Sequence, residues 1–246
     1  MGNSVNPNTV NKMNMFNTRV TAKGVYRRRI WLRTAGIVAL ICILLLLISF
    51  SLAYFVDKAG HFTVNVPEGL SSRSISISET ADFAVATTFL KADPVESMDN
   101  ITESWLPADV ADVDGSHNGD NHIAYTFYLR NNDDEAIDYA ATIDIISVYK
   151  DTDHAVRVKV YRNGEPTLYA KPQKANGEPE PDTTPFTSNT KVMSQTYEGL
   201  EAGGIDKYTV VIWLEGEDPE CVDDILGGEM KMAMQFHVLE TEEVKA

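Results

Sequence analysis

The run Thr34 to Val56, TAGIVALICILLLLISFSLAYFV, sets 23 consecutive residues without a formal charge in one stretch. As a helix rising ~1.5 Å per residue it spans roughly 34 Å, enough to cross a hydrocarbon core of about 30 Å. The same run divides the charge of the chain. Residues 1–56 carry seven Lys and Arg and no acid, whereas residues 57–246 carry the other 14 basic residues against all 36 Asp and Glu, a formal −22. A chain of that polarity reads as a short basic segment, one membrane span and an acidic domain beyond it. Lys and Arg are retained on the cytoplasmic side, so Arg27, Arg28, Arg29 and Arg33 beside the run predict the N-terminus inside and the C-terminal domain outside.

The length after the run suits one sizeable domain or two small ones. Its −22 argues against nucleic acid or anionic lipid as partners and favours cations or basic partners. The two cysteines are Cys42, inside the apolar run, and Cys221, alone in the outer part, so no disulfide forms within the outer domain. Stability must then come from a core rather than from staples. Residues 1–33 are Asn-rich and then basic, and read as a disordered topogenic tail. A Met-Gly start would need Ser or Thr where Asn6 stands to be a myristoylation signal. The apolar run is longer than the 7 to 15 residues usual in a signal peptide, which favours an uncleaved anchor. Ser51-Leu52-Ala53 nevertheless puts small residues at −3 and −1 of a cut before Tyr54, and that alternative gives a secreted protein.

Beyond the run the chain is patterned as strands. His61–Val66, Ser72–Ser78 and Asp82–Lys91 come first. In His122–Arg130 the residues Ile123, Tyr125, Phe127 and Leu129 share one face, and in Tyr139–Tyr149 Ile143, Ile145 and Tyr149 point the same way. Val156–Tyr161 alternates and runs into Arg162-Asn163-Gly164-Glu165, where Asn-Gly suits the positive φ angles of a type I′ turn and doubles the chain back through Thr167–Ala170. Lys171–Ser188 holds four prolines and a glycine and reads as an exposed loop. Strands resume at Lys191–Tyr197, Lys207–Leu214 and Glu229–Val238. Between the last two, Asp218 as cap, Pro219 and Gly227 mark one helical turn. Short strands with turn signals between them predict an all-β ectodomain, an antiparallel β-sandwich over residues 57–240, after a span at 34–56 and before an acidic tail at 241–246.

Leu52-Ala53-Tyr54-Phe55-Val56-Asp57, followed by Phe62-Thr63-Val64, resembles the junction of the TasA/camelysin family, exported proteins of Gram-positive bacteria in which a hydrophobic signal runs into an AYFTD stretch. Tyr125–Asp134, Asp206–Leu214 and Met230–Phe236 are similar to later strands of that family. Val56 departs from the family's Thr or Ser, and the segment before the signal is unusually long. The resemblance implies a jelly-roll-like or Ig-like sandwich. For the TasA branch it also implies extracellular matrix fibres, in which an N-terminal segment adds as a strand to the next subunit. Tyr54–Val66 would be that segment if the chain were cut after Ala53; if the anchor stays, it is a stem.

The camelysin branch has been classed as peptidase, so zinc is the first chemistry to test. His61, His117, His122, His154 and His237 form no His-Glu-x-x-His pair. There is no Gly-x-Ser-x-Gly elbow, and acids around Cys221 should raise its thiol pKa rather than activate it. Calcium finds more support. Asp109, Asp112, Asp114, Asn118 and Asp120 crowd a loop with Gly115 and Gly119, the hard oxygen donors that calcium takes, although the spacing is not that of an EF-hand. A second cluster holds Glu215, Glu217, Asp218, Glu220, Asp223 and Asp224. Solvated acidic loops are the plain alternative for both. Trp213, in a stretch apolar on both faces, reads as core. The sequence therefore predicts a non-enzymatic surface protein, membrane-anchored or secreted, that works in cell-surface or biofilm-matrix assembly through β-strand contacts with itself or a surface partner. An adhesin or calcium-dependent binding module is the alternative.

Overall fold

A computed structural model describes residues 22–57, 62–95 and 97–239. The residues before 22, residues 58–61 with His61, Glu96, and the acidic tail after Leu239 lie outside them, as do the side chains at the Ala53–Tyr54 junction. The chain divides into two units, Met1–Asp57 and Lys58–Ala246. In the first, helix α1 spans Ala22–Asp57, and its stretch Ile30–Ser49 is long and apolar enough to cross a membrane. The helix begins before Thr34, so residues 22–33, expected to be part of a structureless tail, are helical. Extending an existing helix costs little, because each added residue gains a hydrogen bond without a new nucleation step.

The second unit is mostly β. Its elements run β1 (Phe62–Asn65), the short helix α2 (Leu70–Ser74), β2 (Ile75–Ser78), β3 (Phe89–Lys91), β4 (Gly115–Ser116), β5 (His122–Asn131), β6 (Ile137–Tyr149), β7 (Val156–Arg162), β8 (Glu165–Ala170), β9 (Thr184–Pro185), β10 (Lys191–Leu200), β11 (Ile205–Leu214) and β12 (Glu229–Leu239). One sheet has the order β10-β6-β12-β1-β3; the other runs β2-β5-β11-β7-β8-β9, with β4 also on β5. Both sheets are mixed, which corrects the expectation of a purely antiparallel arrangement: β1 runs parallel to β12, and β9 parallel to β8. A tight hairpin can only reverse the chain, whereas parallel neighbours need a long connection. The first and last strands of the unit are free of any hairpin, and the proline-rich segment between β8 and β9 is long enough to carry the chain back.

Side chains from both sheets share one core. Phe62, Phe127, Leu129, Tyr139, Ile143 and Phe236 are among its fully buried members. Phe236 of β12 packs against Phe127 of β5 and Tyr208 of β11 at centroid distances of 5.9 and 5.2 Å, so aromatic contacts cross between the sheets. A smaller cluster covers the opposite face of the second sheet, where Ile101 and Val110 from the β3–β5 segment bury Ala124, Val211 and Trp213. This cover explains why β5 and β11 are buried on both faces rather than alternating.

The polar centre of the core is Asp206. Its carboxylate accepts hydrogen bonds from the Tyr139 hydroxyl, from Arg162 Nε and Nη2 at 3.1 and 2.8 Å, and from Asn163 Nδ2 at 2.6 Å. The Tyr208 hydroxyl lies 2.7 Å from that of Tyr139, and the Arg162 guanidinium stacks 4.0 Å from the Tyr197 ring centroid. Burial, then the bond to Asp206, drives the Tyr139 phenol well above its ordinary pKa. The turn that carries Asn163 is the type I′ hairpin read from the sequence, with φ of 52° at Asn163 and 88° at Gly164.

Three strands differ from their expected form for local reasons. Ser72 Oγ bonds the backbone of Gly69, whose φ is 118°, and the first half of Ser72–Ser78 winds into α2 instead of extending. Asp82 accepts from Thr80 Oγ1 and Ala84 N and sets a turn in which Phe83 takes a φ of 53°, so only Phe89–Lys91 of Asp82–Lys91 is a strand. In β6 a bulge at Ile146 shifts the inward face, so Val148 packs against the core and Tyr149 is 60% exposed. The expected helical turn after Asp218 is only a 3₁₀ turn at Asp223–Ile225, although Gly227 does take a φ of 70°.

Replacing Asp206 by Ala is expected to lower the unfolding free energy of this unit by about 2–4 kcal/mol, less than for a fully buried pair because the Arg162 side chain is 32% exposed. Tyr139→Phe should cost about 1–2 kcal/mol. Guanidinium unfolding of the full chain in detergent, followed by tryptophan fluorescence, measures both; an Asp206→Ala transition that coincides with wild type would remove the cluster from the stability argument.

Candidate functional site

β-Strand recognition needs a strand with free backbone groups, so the sheet edges are the first candidates. β2, β3 and β9 have four, three and two residues, and β9 contains Pro185. β10 is different. It has ten residues, bonds β6 on one side, and has no strand on its other side among the described residues. Register shifts between Lys191 and Met193 and between Tyr197 and Leu200 interrupt its ladder, leaving Met193–Tyr197 regular. Ser194, Thr196 and Glu198 point outward and are exposed, while Val192 and Met193 are buried.

β1 is the strand nearest α1 in sequence. It lies between β12 and β3 with Phe62 and Val64 fully buried. Both of its edges are therefore used within its own chain, with Ala92 N donating to Phe62 O at 3.1 Å.

The loop Asp109–Asp120 serves as cover for the second sheet. Val110 is buried against Trp213 and its neighbours, and the His117 ring holds the loop through Val110 O at 2.8 Å and Gly115 O at 2.9 Å. Asp114 accepts the Tyr128 hydroxyl at 2.6 Å, and that bond, after burial, pushes the Tyr128 pKa up to about 12. Asn118 Oδ1 accepts Ala124 N, and its Nδ2 donates to Asp93 O. Asp109, Asp112 and Asp120 are exposed, and the carboxylates of this loop do not converge as a trio.

One trio of acidic side chains does converge among the described residues: Glu180, Asp218 and Glu220. Asp218 and Glu220 come from the second acidic cluster, whereas Glu180 comes from the proline-rich segment that reads as an exposed loop and is in fact 5% exposed. Phe186 of the same segment is also buried. Cys221 donates nothing to this trio; burial first, then Asp218 and Glu215, raises its thiol pKa in the direction expected from the sequence. A cavity of about 160 Å³ lies at one end of the core, lined by Val95, Met98, Ile123, Val156, Met230 and Met232 among others. His122 is buried beside the loop, so close to Gly119 that a Cβ there would stand 2.3 Å from its ring.

No family model matches the chain, and no curated protein matches it. Among solved structures it is similar to a β-glucosidase from Kluyveromyces marxianus in complex with glucose, at 10% identity over 69% of this chain and 16% of that one, with a TM-score of 0.24. A likeness at that level carries no argument about fold or activity.

Burial and the neighbouring His117 lower the His122 pKa, with Asp120 opposing them. A base whose folded pKa is depressed contributes stability above its unfolded pKa of about 6.5 and loses it as pH falls towards the folded value. The melting temperature of the full chain should therefore fall between pH 7.5 and 5.5 by more in wild type than in His122→Gln. Equal slopes would mean that His122 titrates alike in the folded and unfolded chain, with no depression of its pKa.

Proposed function

We propose that this chain is a bacterial surface protein, held in the membrane by α1 or released by cleavage after Ala53, whose outer unit is a jelly-roll or Ig-like β-sandwich with a structural role in cell-surface or matrix assembly. The observation that carries the reading is β10, a long strand whose one partner strand among the described residues is β6, with Thr187 and Ser188 bonding only its Lys191–Val192 end. Its regular stretch Met193–Tyr197 supplies unpaired N–H and C=O groups over about five residues, and the flanking bulges limit how far an added strand could extend. A partner strand of this chain or of another surface protein would pair there by main-chain bonds.

The charge division supports an inside N-terminus and an outer acidic unit, and the resemblance at Leu52–Asp57 supports TasA-like export in a Gram-positive cell. β1 fits either form. With α1 retained it is a stem that ends in its own sheet; with the chain cut after Ala53, Tyr54–Val66 becomes a free segment that a neighbouring copy could take into the seat between β12 and β3.

The N-terminal residue of the protein recovered from cells separates these forms, Met1 or Gly2 for an anchored protein and Tyr54 for a released one. Assembly is tested on the protein in whichever form the cell makes, by sedimentation over a concentration series. Wild type should form concentration-dependent polymer, and Ser194→Lys with Thr196→Lys should stay monomeric with an unchanged melting temperature. A wild type that remains monomeric at high concentration, or a double variant that polymerises equally, removes the β10 edge from the proposal.

A further inference from the structure

Glu180 sits between β8 and β9, and Asp218 and Glu220 follow β11. One carboxylate oxygen from each lies within 4.8 Å of the other two. Local bonds fix each carrier and occupy only part of its polar capacity. Asp218 Oδ1 accepts Glu220 N at 2.7 Å, Glu220 Oε1 accepts Lys174 N at 2.9 Å, and the Glu180 carbonyl accepts Thr183 Oγ1 at 2.8 Å. One oxygen on each residue is left over, Glu180 Oε1, Asp218 Oδ2 and Glu220 Oε2, buried and without a hydrogen-bond donor. The Glu180 and Asp218 side chains are 5% and 0% exposed. Buried carboxylate oxygens are ordinarily satisfied, and an unsatisfied one on each of three converging carboxylates calls for a missing positive partner.

The neighbouring cationic side chains do not fill that role. Arg157 Nη2 stands 2.7 Å from Asp218 Oδ2 and 3.5 Å from Glu180 Oε2, yet the Asp218 oxygen is not aligned with an N–H bond, and Arg157 Nη1 is itself unpartnered. Lys171 pairs with Asp153 at 2.5 Å and Lys174 with Asp151 at 2.8 Å. Three carboxylates against one guanidinium leave the centre with two surplus negative charges, the charge that one divalent cation neutralises.

We propose that Glu180, Asp218 and Glu220 form a calcium site beside Arg157, whose guanidinium also holds Asp218 Oδ2. Oxygen-only donors select a hard cation, and calcium takes several carboxylate oxygens at about 2.3–2.6 Å in flexible geometry. Magnesium demands octahedral geometry, gives up its waters reluctantly and is usually held by one or two carboxylates, so three buried ones suit it less well. Bound calcium ties the proline-rich segment to the β11–β12 connection, two stretches that the sheet ladders do not join. Protonation of Glu180 is the competing way to relieve the surplus charge. Its pKa is raised, by burial first and then by Asp218, so without a cation the site favours folding below the ordinary carboxylate pKa and loses that contribution as pH rises through the folded value.

The test uses the full chain in detergent at pH 7, treated with chelator and titrated with calcium chloride or magnesium chloride. Calcium should release or absorb heat with a dissociation constant of about 10⁻⁴ to 10⁻³ M and raise the melting temperature by several degrees, with magnesium at least tenfold weaker. Glu180→Gln and Glu220→Gln should each weaken calcium at least tenfold, while in chelator Glu180→Gln melts no lower than wild type. Asp112→Asn in the covering loop should leave the calcium response intact. No heat and no melting shift in wild type overturns the proposal, as does an unaltered response in both Gln variants or its loss in Asp112→Asn. Equal response to magnesium overturns the choice of calcium.

Discussion

The Asp206 carboxylate ties three strands and a turn together from inside the core. A buried carboxylate is tolerated only when donors replace the water it gives up, and here Tyr139, Arg162 and Asn163 do so. Tyr139 belongs to one sheet and Asp206 to the other, so the bond fixes their relative register as well as satisfying the charge. Asn163 adds a second constraint. Its backbone N–H donates to Lys207 O and its Oδ1 accepts Lys207 N, both at 2.8 Å, which clamps the tip of the β7–β8 hairpin against β11. A slip of β11 by one residue would point Asp206 out of the core and leave Arg162 and both tyrosines without their partner.

The same logic of cover and register explains the second sheet's outer face. Ala124, Val211 and Trp213 would be exposed apolar surface on an open sheet, and the β3–β5 segment removes them from water. Ile101 N donates to Leu214 O and Gly216 N to Ile101 O, each at 2.9 Å, so the cover is joined to the end of β11 by backbone bonds. Within the covering loop Val110 faces in, while Asp109 and Asp112 on either side of it are exposed. Asp109, Asp112 and Asp120 are exposed there, and Asp114 and Asn118 make hydrogen bonds to Tyr128 and Ala124.

How much of this is legible in the sequence depends on how local the cause is. The Asn163-Gly164 turn and the core face of Ile123 to Leu129 rest on neighbours within a few residues, and each is present; Trp213 is read as core from the apolar residues beside it, although Ile101 and Val110 supply its cover. The parallel placement of β1 beside β12 depends on two segments at opposite ends of the unit, and no local pattern announces it. The bulge at Ile146 is likewise set by the partner strand. Glu180 escapes a local reading because a Gly-Glu-Pro-Glu-Pro-Asp stretch has the composition of a solvated loop; only the chain's return along β8 carries it under Arg157. Phe186, six residues on, is the one sequence sign that this segment packs rather than hangs free.

The unit thus holds two buried acidic centres that differ in how their charge is met. At Asp206 one carboxylate receives donors on both oxygens, so the site is complete from its own residues and contributes to stability. At Glu180, Asp218 and Glu220 three carboxylates share one guanidinium and each retains an unpartnered oxygen. Had the second centre served the fold alone, replacing two of the acids by neutral side chains of similar shape would remove the surplus with little loss of packing. A chain that keeps three acids in one dry place instead carries an electrostatic cost that a bound cation relieves. The imbalance separates a site built to bind from one built to hold.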